Sequence, residues 1–144
     1  MPNAWKFVIN QNGGKIKASS TYNVMINNAE YLNFESSSDV KNWKSSGIEN
    51  EWLEFNFQEN VKVMGIRTLI AQGSGTFRNY MFQYHSGSDW VTIFSGIRAA
   101  DCCHMVQQKL PLTHNKKFRL FMIDSYDSRK MEIDQLQLLF QFGN

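Results

Sequence analysis

The sequence predicts an all-β domain, an antiparallel β-sandwich or jelly roll. Three observations point there. Aromatic residues make up 14% of the chain, and such rings fit best on pleated, half-buried surfaces. Apolar residues recur mostly at period two, the period of a strand with one buried face. Turn residues punctuate these runs about every 8–15 residues, the rhythm of sandwiches and jelly rolls. At 144 residues the chain reads as one domain spanning 1–144, long enough to bury a core without staples.

The elements follow in order. Trp5 to Ile9 and Lys15 to Ser19 read as strands around an Asn12-Gly13-Gly14 turn. Ser20 to Ser46 is irregular and rich in Asn and Ser, with aromatics at Tyr22, Tyr31, Phe34 and Trp43. A long loop of this kind on a compact β domain is more often functional than idle. Asn27 to Leu32 is the place for one helical turn. In the next strand Leu53, Phe55 and Phe57 alternate with Trp52, Glu54 and Asn56. Glu59-Asn60 reads as a turn into a strand from Val61 to Ala71. The apolar phase slips at Met64-Gly65 in that strand, and a glycine at a phase slip signals a β-bulge. Tyr80, Phe82 and Tyr84 share a face, and His85-Ser86-Gly87-Ser88-Asp89 turns the chain into Trp90 to Phe94 as a hairpin. Val106 to Leu110 is a weaker strand stopped by Pro111. Lys117 to Ile123 is a strong one, and Glu132 to Phe142 is the last.

Composition narrows the function. Fifteen basic and 13 acidic residues give a formal net charge of +2, which is no electrostatic footprint for nucleic acid. No apolar run approaches the ~20 residues that span a bilayer. The N-terminus lacks a basic region followed by an apolar one, so no signal peptide is expected. Cys102 and Cys103 are adjacent, a spacing at which a bridge closes no useful loop. These features lead to an expectation of an intracellular protein, in the cytoplasm or on the cytoskeleton or cilium.

Catalytic and metal chemistry find little support. Cys103 and His104 are neighbours, and on an extended chain neighbours point to opposite faces. Cys102, Cys103, His104 and His114 lack the paired spacing of a zinc site. The expectation is a protein that is not an enzyme. Asp124-Ser125-Tyr126-Asp127-Ser128 is oxygen-rich but lacks the Gly and closing Glu of an EF-hand, so a turn is the simpler reading.

The binding candidates lie in loops. Phe77-Arg78-Asn79 follows Gly73-Ser74-Gly75-Thr76, and glycines allow a tight, exposed tip. Arg beside an aromatic offers donors and a flat apolar surface; the alternative is a connecting loop. Tyr31, Asn33 and Phe34 offer a stacking platform or an anchor. Trp43, with Lys44 beside it, either plugs the end of the sandwich or projects as a contact.

Several motifs together resemble a known family. These are Ala18-Ser19-Ser20-Thr21-Tyr22, Asn42-Trp43, Glu51 to Phe57, Val63 to Thr68 with Gln72-Gly73, Tyr80 to Tyr84 with Trp90, Phe118 to Phe121, and Glu132 to Leu136. In this order they resemble the discoidin, or coagulation-factor type C, domain of the galactose-binding-like superfamily, over Lys17 to Phe142. The resemblance implies an eight-stranded antiparallel jelly roll with its ligand site in the loops at one end. It leaves open a structural calcium and implies no other cofactor. The family's terminal cysteines are absent here and Asn56 replaces an acidic residue, two departures that fit an intracellular, divergent member; His85 also replaces a serine. The expected role is a protein-interaction or scaffold subunit within a larger assembly. Seven methionines suit adaptable packing against a protein partner. The alternative is a lectin-like domain for a galactose-type sugar, and headgroup binding through loop aromatics is a weaker third.

Overall fold

The computed structural model describes residues 4–6, 14–33 and 42–142. Among them are nine strands: β1 Ala4–Lys6, β2 Lys15–Ala18, β3 Trp43–Lys44, β4 Glu51–Leu69, β5 Asn79–His85, β6 Trp90–Ile97, β7 Val106–Met122, β8 Glu132–Ile133 and β9 Gln135–Phe142. Short 3-10 turns lie at Ala29–Asn33 and Tyr126–Ser128. Every strand pairing is antiparallel.

Two long strands, β4 and β7, each serve both layers of the sandwich. The first half of β4 pairs with β2 and with the Lys117–Met122 end of β7, which continues to β5 and β6. The second half of β4 pairs with the Val106–Asn115 part of β7 and with β9, which β1 flanks. The Glu59-Asn60 turn is therefore a bend inside one strand. Gln58, Glu59 and Asn60 are exposed there, and the register shifts between Asn56 and Val61. Three solvated polar residues imitate a turn while the chain crosses between sheets.

Pro111 likewise does not stop a strand. β7 runs through it, because the register with β4 shifts between Val63 and Gly65 and leaves residues 110–112 bulged. A proline at a bulge forfeits no ladder hydrogen bond. The phase slip at Met64-Gly65 is the matching irregularity, seen against both β7 and β9. A Cβ on Gly65 would lie 2.9 Å from the Trp5 ring, so glycine lets that ring close over the strand. The Trp5 to Ile9 strand is seen as β1; its residues 7–9 and the turn at Asn12 and Gly13 lie outside the described residues.

The core sits between the layers. Leu53, Phe55, Phe57, Val61, Val63 and Ile66 of β4 face Phe82, Phe118, Leu120, Leu136, Leu138 and Phe140. Phe82 stacks against Phe55 and Phe118, with centroids 6.4 and 5.9 Å apart. The bends in β4 and β7 leave the remaining connections gathered at the opposite end of the sandwich, and they build the site.

Candidate functional site

Backbone hydrogen bonds knit these end loops together. Cys103 N donates to Ile70 O, Tyr126 N to Thr76 O, Glu132 N to Gly75 O and Ser45 N to Met131 O, at 2.8–2.9 Å. Gly75 N also donates to Glu132 Oε2 at 3.1 Å. Its absent side chain is a requirement, since a Cβ there would fall 1.8 Å from Lys130 O.

Between the loops lies a hollow of about 270 Å³. Gln72, Ser74, Thr76, Tyr126, Asp127 and Arg129 form its polar lining, and Ala71, Ala100 and Cys102 an apolar wall. Asp127 and Ser128 both hold left-handed backbone, φ 59° and 51°, which turns the chain sharply over the opening. The Tyr126 hydroxyl donates to Arg98 O at 2.7 Å and fixes the ring. Arg129 Nη2 donates to Gly73 O. The side chains of Asp127 and Gln72 make no hydrogen bond among the described residues and are free for a ligand. On the other side of Arg129 is a second, more open hollow of about 290 Å³, bounded by Lys44, Ile48, Ser128, Lys130 and Glu132. Lys44 and Lys130 both approach the Tyr22 ring, at 4.5 and 5.7 Å from its centroid.

The structure separates the residues expected to bind. Phe77 is not a surface tip: it is 2% exposed, bridges Ser125 and meets Tyr80 edge-on at 5.6 Å. The glycines before it turn the loop inward, so that the ring completes the core. Arg78 is exposed but paired, with Nη2 2.9 Å from Asp124 Oδ2. Asn79 reaches the same carboxylate through N at 3.0 Å and Nδ2 at 3.1 and 3.0 Å. Trp43 is the plug: fully buried, it donates from Nε1 to Ser20 O at 3.1 Å. Lys44 lines the second hollow. Tyr31 donates from its hydroxyl to Met25 O at 2.8 Å, Asn33 closes the 3-10 turn, and Phe34 lies outside the described residues.

The cysteine expectation is corrected: Cys102 and Cys103 form a disulfide. Cys103 takes a left-handed φ of 75° with its N–H held by Ile70 O, which folds the two neighbours toward each other. Cysteine usage therefore no longer argues for a reducing compartment.

In the Asp-Ser loop the Asp124 carboxylate is already engaged. The guanidinium of Arg78 and then the Asn79 donors hold the Asp124 carboxyl down at about 2, so its oxygens are already occupied. Elsewhere Asn27 Oδ1 is buried without a partner, beside Asn42 and Glu132. The Glu132 oxygens already accept from Asn42 and Gly75. That set falls short of the six to eight oxygens calcium takes, and no cluster of three or more His, Cys, Asp or Glu occurs among the described residues.

Arg129, Tyr126, Asp127 and Gln72 were not singled out by sequence reasoning as ligand contacts. The signal was the Asp- and Ser-rich stretch at 124–128, which marks a sharp turn whose free polar groups face the hollow.

Comparison with known proteins agrees with this architecture. The fold is similar to that of CpGH89CBM32-5 from Clostridium perfringens, described in complex with GalNAc-β-1,3-galactose (TM-score 0.79, 12% identity, 94% of this chain and 99% of that one). It is similar to the family 32 CBM of NanJ from C. perfringens, in complex with galactose (TM-score 0.79, 11% identity, 97% and 100%). A chitosan-binding module 2 in complex with chitotriose, from a chitosanase/glucanase of Paenibacillus sp. IK-5, is similar too (TM-score 0.72, 14% identity, 92% and 98%). No curated protein sequence matches the chain. The F5/8 type C domain model matches residues 15–125, most of the chain and both of its long strands, β4 and β7. The chain belongs to the F5/8 type C, or discoidin, domain family.

Proposed function

We propose that this domain is a carbohydrate-binding module whose sugar lies in the hollow between Gln72, Tyr126, Asp127 and Arg129. The observation that carries the reading is the hollow's make-up. Unpartnered polar groups and an arginine surround one apolar wall, and sugar recognition needs converging hydrogen bonds beside a surface for C–H faces. At about 270 Å³ it is smaller than sites for drug-sized ligands, about 300–1,000 Å³, which suits one sugar ring at the end of a glycan. Similarly folded domains described with galactose, GalNAc-β-1,3-galactose and chitotriose support the class of ligand. Among sugars, galactose, GalNAc and chitotriose are the first to titrate.

The test is a glycan array followed by calorimetry with wild type and Asp127→Asn, a change that tolerates left-handed backbone. Array hits on galactosides or amino sugars, weakened about tenfold by Asp127→Asn at an unchanged thermal midpoint, are expected. A blank array with folded protein overturns the reading.

One observation favours the scaffold role instead. Val24 and Met25 are 66% and 74% exposed, with exposed Tyr22 and Ile26 in the same loop. Adjacent exposed apolar residues mark contact sites more than isolated ones do. On this second reading the 22–26 loop docks on a protein partner within an assembly, in the cytoplasm or on the cytoskeleton or cilium. Val24→Ser with Met25→Ser then abolishes partner recovery and leaves sugar binding intact. No described helix is long and apolar enough to cross a membrane.

A further inference from the structure

The two layers part along one edge of the sandwich. β6 ends one sheet, and the Val106–Asn115 part of β7 ends the other. Between them is a cavity of about 200 Å³, separate from the sugar hollow. Ile66, Phe77, Leu120 and the Tyr80 ring supply an apolar wall, Ile97 and Val106 lie at its edge strands, and Arg67, Gln107 and Gln108 add polar groups to the lining.

Two polar groups of this cavity keep a donor that no hydrogen bond among the described residues uses. Arg98 is 4% exposed, yet no carboxylate pairs with its side chain among the described residues. Its Nε donates to Thr68 Oγ1 at 2.7 Å and its Nη2 to Thr68 O at 3.1 Å. Nη1 donates to Ala99 O at 2.8 Å and to Asp101 O at 3.2 Å. A guanidinium has five N–H groups, so one on Nη2 is left over. Tyr80 is 5% exposed, and its hydroxyl makes no hydrogen bond among the described residues. A buried cation with no carboxylate in ion-pair contact costs stability, and the Tyr80 hydroxyl, without a partner among the described residues, is a donor open to the cavity. Burial lowers Arg98 to about 10 and raises Tyr80 to about 12. At neutral pH the pair is thus a cation and a neutral donor.

We infer that this cavity is a binding site for a small carboxylate with an apolar body. The carboxylate accepts from Arg98 Nη2 and the Tyr80 hydroxyl, and the body lies between Phe77, Leu120 and Ile66. The ligand's negative charge compensates the arginine, which a neutral sugar does not, and the apolar wall of Ile66, Phe77 and Leu120 favours an organic body over an inorganic anion. The space suits a single-ring or short branched acid.

Sodium benzoate is the probe, with benzamide as its neutral counterpart and sodium chloride as the salt control. Backbone amide shifts are followed by NMR in wild type, Tyr80→Phe and Val106→Trp. Benzoate is expected to give saturable shifts at Thr68, Tyr80, Ile97 and Ala99. Tyr80→Phe, which keeps the ring, weakens it about tenfold, and Val106→Trp blocks the opening. Benzamide and chloride leave these amides unmoved. Equal binding of benzoate and benzamide, benzoate affinity unchanged in both variants, or no saturation by about 10 mM overturns the inference. Galactose binding does not enter these readouts, so the two sites stand or fall separately.

Discussion

Phe77 and Arg78 are adjacent in sequence and opposite in energetic role, which makes them a sharp test of the structure. Phe77→Ala removes a ring that is 2% exposed, packed edge-on against Tyr80 and beneath the Arg98 guanidinium at 5.7 Å. Truncating such a ring costs about 3–5 kcal/mol. Unfolding entropy near the midpoint is about 2.1 cal/mol/K per residue, so 144 residues give about 0.3 kcal/mol/K. The midpoint should then fall by about 10–17 °C. Arg78→Ala removes a solvent-exposed ion pair, which salt and water screen, so its midpoint stays close to wild type. Differential scanning calorimetry of both variants, with urea melts to check that m is unchanged, measures this. A Phe77→Ala midpoint within about 3 °C of wild type would refute the inward placement of the 73–79 loop and restore Phe77 as a surface contact.

Three further outcomes follow from the same geometry. Asp124 has a folded carboxyl pKa of about 2, below its ordinary unfolded value of about 3.9. Its stabilising contribution is therefore full above about pH 4 and is lost as pH falls toward 2. Asp124→Asn should flatten stability against pH across that window, and an unchanged slope in acid titration counts against the Arg78–Asn79–Asp124 cluster. Gly75→Ala forces a Cβ onto Lys130 O and should dislodge the 126–131 loop, seen as lost amide protection there and lost sugar binding; full protection contradicts the close approach. Trp43→Phe keeps a ring but removes the donor to Ser20 O. It should destabilise by about 1–3 kcal/mol in a urea melt and leave binding at the hollow intact, whereas a selective loss of binding would make Trp43 a contact after all.

Strand identity was legible wherever one face is buried, because burial writes period two directly into the chain. Leu53-Phe55-Phe57 and Tyr80-Phe82 are buried as their spacing predicts, and Gly65 marked its bulge. Continuity across bends was not legible. Gln58 to Asn60 and Pro111 are locally indistinguishable from turns, and only pairing with distant strands shows that β4 and β7 pass through them. The site was hidden for a related reason. The Arg78–Asp124 pair spans 46 positions, and Phe77 turns inward through a bridge to Ser125. Gly73 to Thr76 signalled a tight loop correctly, but a tight loop has an inside and an outside. Sequence spacing does not choose between them; packing against Tyr80 does.

Arg98 ties the two candidate sites together and decides which variants can distinguish them. Its carbonyl accepts from Tyr126, which lines the sugar hollow. Its guanidinium holds Ala99 O and Asp101 O, and so positions the loop that carries Cys102 into the hollow's apolar wall. Removing that side chain would release both walls at once, and Arg98→Ala is expected to weaken sugar and carboxylate binding together. A joint loss in that variant therefore carries no information about either ligand. Tyr80→Phe and Asp127→Asn do: each deletes one chemical function at one site while leaving the Arg98 anchor in place. Benzoate binding weakened only in Tyr80→Phe, with sugar binding weakened only in Asp127→Asn, is the pattern that two independent sites require. Loss of both ligands in either single variant would mean that the end loops respond as one unit, with Arg98 as the coupling element.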